Sequence, residues 1–367
     1  MSEPSSLPLH EFHQSLGANF SALNGAELVG DYRDALAEYR ALQETAGVLD
    51  LSFRSRICLT GADRVRFLHG QVTNDVKKLR SGEGCYSALT TAKGKMQSDL
   101  NIFCLPDELL LDFEPGLTTT VTQRLEKFIV ADDVQVVDVA PHYGLLSVQG
   151  PKAEAVVRAV GLFAETSNAS LASTKISDAT LGEIYLMNHA RLASSGFDFF
   201  VPLAALGAVA DKLIAAAKLA GGRVCGWSAF EIARVEAGVP RFGADMDETN
   251  IASECGIEAR AISYTKGCYI GQEVLNRIHS IGHVNRELRG LRLAAGGHTL
   301  PVRGDKLFHG DKEAGFITSA EFSPTLNCGV ALGYVRREAN AIGTALVVWS
   351  GTAESVVTVA KLPLARG

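Results

Sequence analysis

The hydrophobic pattern changes character once along this chain, just beyond Ile278, and that change constrains the fold more than any other feature. Before it, apolar residues recur at helical spacing in some stretches and alternate in others. From His283 (HVNRELRGLRL) onward they alternate in short runs, broken at Gly296-Gly297, Gly304-Asp305, Gly310-Asp311 and Ser323-Pro324. Alternation marks strands with one buried face, and short strands at regular spacing close into a small barrel or sandwich. The 367 residues are therefore expected to form an α+β region, 1–282, and a C-terminal antiparallel β-barrel, 283–367.

Within the first region the opening thirty residues carry few apolar positions and begin loosely. Ala35 to Ala46 places Leu36, Tyr39 and Leu42 on one helical face, ended by Gly47, and Val48 to Thr60 reads as a strand. Val65 to Leu79 is a second amphipathic helix, with His69, Gln71, Thr73, Asn74 and Asp75 expected on its wet side. Tyr86 to Asp112 reads as strand, turn, strand, turn, strand, with a hairpin at Gly94. Asp99 lies in it among SDLNIF, where alternation separates Leu100 and Ile102 from Asp99, Asn101 and Phe103. A carboxylate there is solvated, paired or employed. Further on come a helix over Leu117 to Val130, strands near Val134 to Val139 and Gly144 to Val148, and strand-like patterning around Gly182 to Pro202. A helix over Leu203 to Ala220 is followed by one opened by Ser228 and Glu231 as a capping box. In that helix Arg234 pairs with Glu231 or stays in water. The acids between Asp245 and Glu254 lack EF-hand spacing, so no metal site is read there.

The densest polar cluster is Lys266 to Glu273 (KGCYIGQE), within ISYTKGCYIGQEVLNRI. Gly267 and Gly271 allow a sharp turn, and Val274, Leu275 and Ile278 then recur at helical spacing, so a tight loop feeds a short helix. Cys268 sits on the loop beside Lys266, and two readings stand side by side. In one, the lysine charge favours a reactive thiolate. In the other, the cysteine is buried in a tight turn with a solvated lysine next to it.

This motif resembles the signature of the YgfZ group of folate-binding proteins, relatives of the glycine-cleavage T-protein, an aminomethyltransferase that uses tetrahydrofolate. Supporting segments are Gln149-Gly150-Pro151, Arg234 to Pro240 (RVEAGVP), Gly243 to Glu248 (GADMDE), and Gly315 to Ser319 with Gly329 to Val335 in the barrel. The resemblance implies two intertwined α+β lobes around a central folate pocket, plus the barrel. It implies that Asp99 approaches the folate nitrogens, standing where T-proteins carry the second of two aspartates; here the first is Ser98. By the same resemblance Glu254 binds the amino-pyrimidine edge and Arg286 faces the folate from the domain junction. The T-protein acidic loop is replaced by LASSG at Leu192 to Gly196. The function implied by the YgfZ-like signature is that of a tetrahydrofolate-binding protein serving iron-sulfur cluster assembly or repair, with iron-sulfur proteins as clients. Cys268 is then the functional thiol and Lys266 its activator. The alternatives are an aminomethyltransferase, in which Asp99 acts on the folate amine, and a protein that stores or senses folate.

Composition removes other classes. A net charge of −6 argues against broad nucleic-acid binding, and no apolar run reaches the ~18 to 20 residues of a membrane span. Met1 to Leu23 lacks the pattern of a secretory signal. Seven scattered cysteines without CxxC spacing read as reduced thiols in a cytoplasmic protein.

Overall fold

A computed structural model describes residues 4–294, 299–351 and 353–365. The expected turn at Gly296-Gly297 lies outside the described residues. The first region is built on two sheets that share the chain alternately. Gly47–Asp50 enters a six-stranded sheet, Ser55–Thr60 through Gln135–Asp138 form a five-stranded sheet, and Tyr143–Gln149 returns to the first beside Gly47–Asp50. This exchange of strands is the intertwining of the two lobes. Phe103 and Leu110 of one sheet pack against Leu145 and Phe200 of the other. On their far sides, helices Ala153–Val160 and Leu203–Leu219 cover the six-stranded sheet, while Arg64–Gln71 and Thr118–Glu126 cover the five-stranded one.

The C-terminal strands close a six-stranded antiparallel barrel in the order Arg286–Leu293, Cys328–Arg336, Lys312–Ser323, Lys306–His309, Ala345–Ser350, Ala353–Ala360. Its interior is Leu291, Ile317, Ala331, Val335, Leu346, Val348, Val357 and Val359, the inward half of each alternation.

Several local expectations are corrected. The opening segment is ordered: helix His10–Ser15 and a hairpin of Asn19–Leu23 with Ala26–Asp31. His13 anchors it, one ring nitrogen 2.8 Å from Asp50 and the other 2.8 Å from the Tyr32 hydroxyl. Gly47 does not cap the preceding helix; it opens a strand where a Cβ would lie 2.5 Å from Leu42 and 2.7 Å from the Cys225 sulfur. Val48 to Thr60 is two strands in different sheets. The helix expected over Val65 to Leu79 stops at Gln71, and its supposedly wet His69, Gln71 and Thr73 are buried. They are claimed by tertiary partners: Gln71 accepts from Arg124 at 2.9 Å and Thr73 donates to the Ala261 carbonyl at 2.6 Å. The edge strand Ser173–Asp178 shows no clean alternation and escapes a sequence reading. Helix Trp227–Ala237 is capped by Gly226 with no side-chain cap, so Ser228 and Glu231 form no capping box.

Glu231 instead holds Arg234, which does not stay in water. Arg234 is 2% exposed; it donates twice to Glu231 at 2.8 Å, to Asp245 at 2.7 Å and to the Ser319 hydroxyl at 2.8 Å. A register shift between Ile317 and Ser319 in the barrel lets Thr318 and Ser319 both donate to the other Asp245 oxygen, at 2.6 and 2.7 Å. This buried ion pair is thus one of the joints between the barrel and the lobes.

Arg234→Met keeps the volume but leaves Asp245 buried without its cation. Removing one partner of such a pair costs about 3 to 5 kcal/mol. Denaturant unfolding should show that loss; a change below ~1 kcal/mol would mean the junction does not depend on the pair.

Candidate functional site

A cavity of about 370 Å³ opens between the two lobes and the helix Trp227–Ala237, a volume in the range of small-molecule sites. Its aromatic wall is Trp227 stacked on Phe230, centroids 4.9 Å apart, with Tyr86 opposite under the Arg260 guanidinium. Its polar wall is a chain of alternating charge. Asp245 pairs with Arg234, Arg234 with Glu231, Glu231 with Arg241, and Arg241 with Glu114 at 3.0 Å. Glu114 then pairs with Arg54 at 2.6 Å, Arg54 with Asp112 at 2.8 Å, Asp112 with Arg191 at 2.9 Å, Arg191 with Asp198 at 2.7 Å and Asp198 with His189 at 2.8 Å. Burial disfavours these charges, yet the flanking Arg191 and Arg54 hold the Asp112 carboxyl well below the usual carboxylate range.

Asp99 stands at this wall and is left out of the chain. Its strand, Met96–Cys104, turns it into the cavity opposite Leu100 and Ile102, as alternation requires. Tyr86 donates to Oδ2 at 2.8 Å; Oδ1 is buried and has no partner among the described residues. Burial, and then the Glu114 charge, push its pKa up to about 6. At neutral pH it is therefore mostly a carboxylate, with one oxygen waiting for a donor, and it takes up a proton readily. A flat ring carrying N–H groups, laid on Trp227 or Tyr86 and bonded to Asp99, is the ligand this arrangement suits.

The other expected ligand residues do not join it. Glu254 lies in the short turn Ala252–Glu254, and its Oε2 is 3.3 Å from Arg286 Nε. Arg286 reaches over the rings of Phe316, at 5.5 Å, and Tyr334, at 5.0 Å. They line separate depressions, Arg286 one of about 840 Å³ on the barrel wall and Glu254 one beside Tyr264 and His279. Asp99 thus lines the central cavity, whereas Glu254 and Arg286 pair with each other and line other depressions. The barrel depression is larger, but the acids that line it, Glu313 and Glu338, are exposed, so it holds no buried carboxylate like Asp99. Sequence reading missed Tyr86, Arg54, Glu114, Arg191 and Arg241. Each is an ordinary charged or aromatic residue whose partners come from distant parts of the chain.

At the KGCYIGQE loop the reading of a buried cysteine beside a solvated lysine is reversed: the thiol is exposed and the lysine buried. Lys266 Nζ donates to the carbonyls of His69, Val72 and Asn74 at 2.5, 2.7 and 2.9 Å. Its hydrogen bonds go to the backbone and not to Cys268, which corrects the expected pairing. Burial pulls its pKa down to about 8, while the three carbonyls favour the charged form. Asn74 also lines the cavity, so the underside of this loop grips the cavity wall. Gly271, at φ +93°, ends the loop and starts helix Gln272–Ile281, as its composition suggests.

Compared with known proteins, residues 9–266 match the GCVT N-terminal domain, and residues 286–365 match the glycine cleavage T-protein C-terminal barrel domain. An aminomethyltransferase of Mycolicibacterium paratuberculosis is 28% identical over 336 residues, 91% of this chain and 89% of that one. One of Corynebacterium jeikeium is 27% identical over 365 residues, 94% and 92% of the two chains. The crystal structure of glycine cleavage system aminomethyltransferase T from Bartonella henselae superposes with a TM-score of 0.87 at 24% identity, covering 98% of each chain. That likeness establishes the fold.

The raised Asp99 pKa has a stability consequence of definite sign. Between the unfolded carboxyl value of about 4 and the folded value, the folded state holds the extra proton, so stability falls as pH rises through that window. Asp99→Asn should therefore be more stable than the wild type at pH 7, by about 1 to 3 kcal/mol, and equal to it below about pH 4. Melting temperatures of both proteins across pH 3.5 to 8 check this; parallel curves would place Asp99 in an unperturbed setting.

Proposed function

This chain belongs to the glycine cleavage T-protein family, and from that premise we propose that its central cavity binds tetrahydrofolate or a derivative and acts on the one-carbon unit that it carries. The observation that carries the reading is the half-satisfied carboxylate of Asp99 beside the stacked Trp227 and Phe230. A tetrahydropteridine presents a flat pyrimidine ring and carries ring N–H groups, the donors that Oδ1 lacks. In aminomethyl transfer, two folate nitrogens form bonds to the methylene carbon as its bonds to the amine nitrogen and to the lipoyl sulfur break, and the two folate protons end on the released ammonia and thiol. Asp99 orients one of these nitrogens and, with a pKa near 6, accepts its proton on the way. The alternating charge chain contributes rigidity: its arginines are engaged by carboxylates, so they hold the wall in place while Asp99 stays free for the ligand. On this reading the protein is a folate-dependent transferase of the aminomethyltransferase kind.

A second reading is favoured by the KGCYIGQE loop and by the non-acidic LASSG segment. Here the folate site is retained and the working group is the exposed Cys268, in a folate-dependent accessory factor for iron-sulfur cluster assembly or repair. Its clients would be iron-sulfur proteins in a reducing cytoplasm, a setting that suits seven free thiols. Among the described residues no helix is long and apolar enough to cross a membrane.

Two measurements separate these readings. Tetrahydrofolate affinity should fall about tenfold or more in Asp99→Asn, the loss of one charge-assisted hydrogen bond of ~1.5 to 3 kcal/mol; unchanged affinity would remove the cavity as the folate site. Methylenetetrahydrofolate and ammonia are then followed from aminomethyl-lipoyl carrier protein plus tetrahydrofolate. Turnover of about 1 per second or faster supports the transferase. A protein that binds folate without turnover, and whose Cys268→Ala variant fails to restore iron-sulfur enzyme activity in a strain lacking it, supports the accessory role.

A further inference from the structure

We infer that His189, oriented by Asp198, is the acceptor in the cavity wall for the 2-amino group of the pteridine. The inference rests on the reading of the central cavity as a folate site. With Glu254 paired to Arg286 at other depressions, the amino-pyrimidine edge lacks the acceptor that the sequence suggested for it. Most carboxylates around the cavity are already engaged: Glu114 by Arg54 and Arg241, Asp112 by Arg54 and Arg191. One nitrogen of His189 is not.

His189 follows the strand Gly182–Asn188 and lines the cavity, packed edge-on against Phe103 with ring centroids 6.2 Å apart. Its Nδ1 lies 2.8 Å from Asp198 Oδ2. Asp198 is fully buried in the strand Gly196–Pro202, and the same oxygen takes Arg191 through Nε at 3.0 Å and Nη2 at 2.7 Å. Burial disfavours the Asp198 charge, yet Arg191 and then His189 hold its carboxyl below the usual range. A carboxylate can only accept, so the ring proton sits on Nδ1. The lone pair is then on Nε2, which has no hydrogen-bond partner among the described residues and is not buried. The side chain is 12% exposed, and it is the cavity onto which it opens. Burial lowers the His189 pKa and Arg191 lowers it further, while Asp198 and Asp112 oppose them. At pH 7 the ring is therefore neutral, and Nε2 is an acceptor.

A fixed neutral acceptor selects an uncharged donor. It offers nothing to a carboxylate or a phosphate, which have no proton to give at pH 7. The 2-amino group of a pteridine is such a donor. Asp99 and Phe103 lie on one face of the strand Met96–Cys104, four residues and about 13 Å apart. His189, against Phe103, thus meets a different part of the ligand from Asp99. Between them Asn101 lines the cavity; its amide nitrogen donates to Asp112 at 3.0 Å, and its carbonyl oxygen has no partner among the described residues. Such a row of acceptors suits a tetrahydropteridine, whose N–H groups are spread around both rings, with Asp99 at the reacting nitrogens and His189 at the end away from them.

The test is equilibrium binding of the full chain to tetrahydrofolate and to its analogue with hydrogen in place of the 2-amino group. The wild type should bind the analogue on the order of tenfold more weakly. His189→Asn keeps an N–H for Asp198 and removes the Nε2 acceptor. It should lose tetrahydrofolate affinity on the order of tenfold and bind the two ligands alike. His189→Gln, whose amide oxygen reaches the place of Nε2, should keep most of the discrimination. A wild type that does not discriminate, or a His189→Asn variant that discriminates equally well, overturns the proposal. Where His189→Asn does not fold, nitrogen NMR of the wild type decides: tetrahydrofolate should shift the Nε2 signal and the analogue should not, and equal shifts overturn the proposal. A wild type that fails to bind tetrahydrofolate removes the folate reading and this inference with it. Affinity lost in Asp99→Asn but kept in His189→Asn overturns this inference alone.

Discussion

The Arg234–Asp245 pair is the contact on which the rest of the molecule depends. Two opposite charges taken out of water are stable only when their remaining donors and acceptors are also satisfied. Here that requirement recruits three parts of the chain. Glu231 on the same helix takes two guanidinium donors, the barrel bulge supplies the Thr318 and Ser319 hydroxyls, and the Val239 carbonyl accepts from Nη1. The barrel is therefore positioned by polar geometry as well as by apolar packing. The same helix also sets one wall of the cavity, so Arg234 links the position of the barrel to the shape of the site.

From that pair the alternation of charge runs around the cavity to His189 and leaves Asp99 as the surplus carboxylate. Asp112 lies at the same wall and behaves in the opposite way. It has Arg54 and Arg191 against it and its acidity is strengthened, whereas Asp99 has a tyrosine hydroxyl and a neighbouring acid and its acidity is weakened. Burial acts in the same direction on both; the partners decide the outcome. A carboxylate held in this way is costly to the folded protein and useful to a ligand, which is how a binding site differs from a structural ion pair.

The KGCYIGQE loop is tied to the same wall from the other side. Asn74 accepts the Lys266 ammonium through its carbonyl, while its side chain donates to the carbonyls of Tyr86 and Arg260. Tyr86 in turn holds Asp99. The central cavity and the exposed thiol thus share a short run of backbone, 72–74, and a single lysine joins them. A buried lysine on three carbonyls works as a strut, because an ammonium has three donors and no acceptor and all three are used.

By itself the sequence determined the parts of this protein that depend on local periodicity. The three-stranded run from Tyr86 to Asp112, the alanine-rich helix ending near Leu219, the glycine that starts the helix at Gln272 and the barrel after His283 all arise from spacing along the chain. It also marked Asp99 as a carboxylate out of place in its strand, and the KGCYIGQE motif with its supporting segments pointed to the T-protein family. Only the tertiary structure decided the rest. His69 and Thr73 look like the wet face of a helix until the Cys268 loop and the Ala261 carbonyl close over them. Lys266 looks solvated until three carbonyls converge on it. Glu254 and Arg286 read as ligand residues, yet they face each other in space. The reason is common to all of these. Apolar residues announce their burial through a repeat that the backbone imposes, whereas a polar side chain is defined by its partner, and here the partners lie up to 197 residues away.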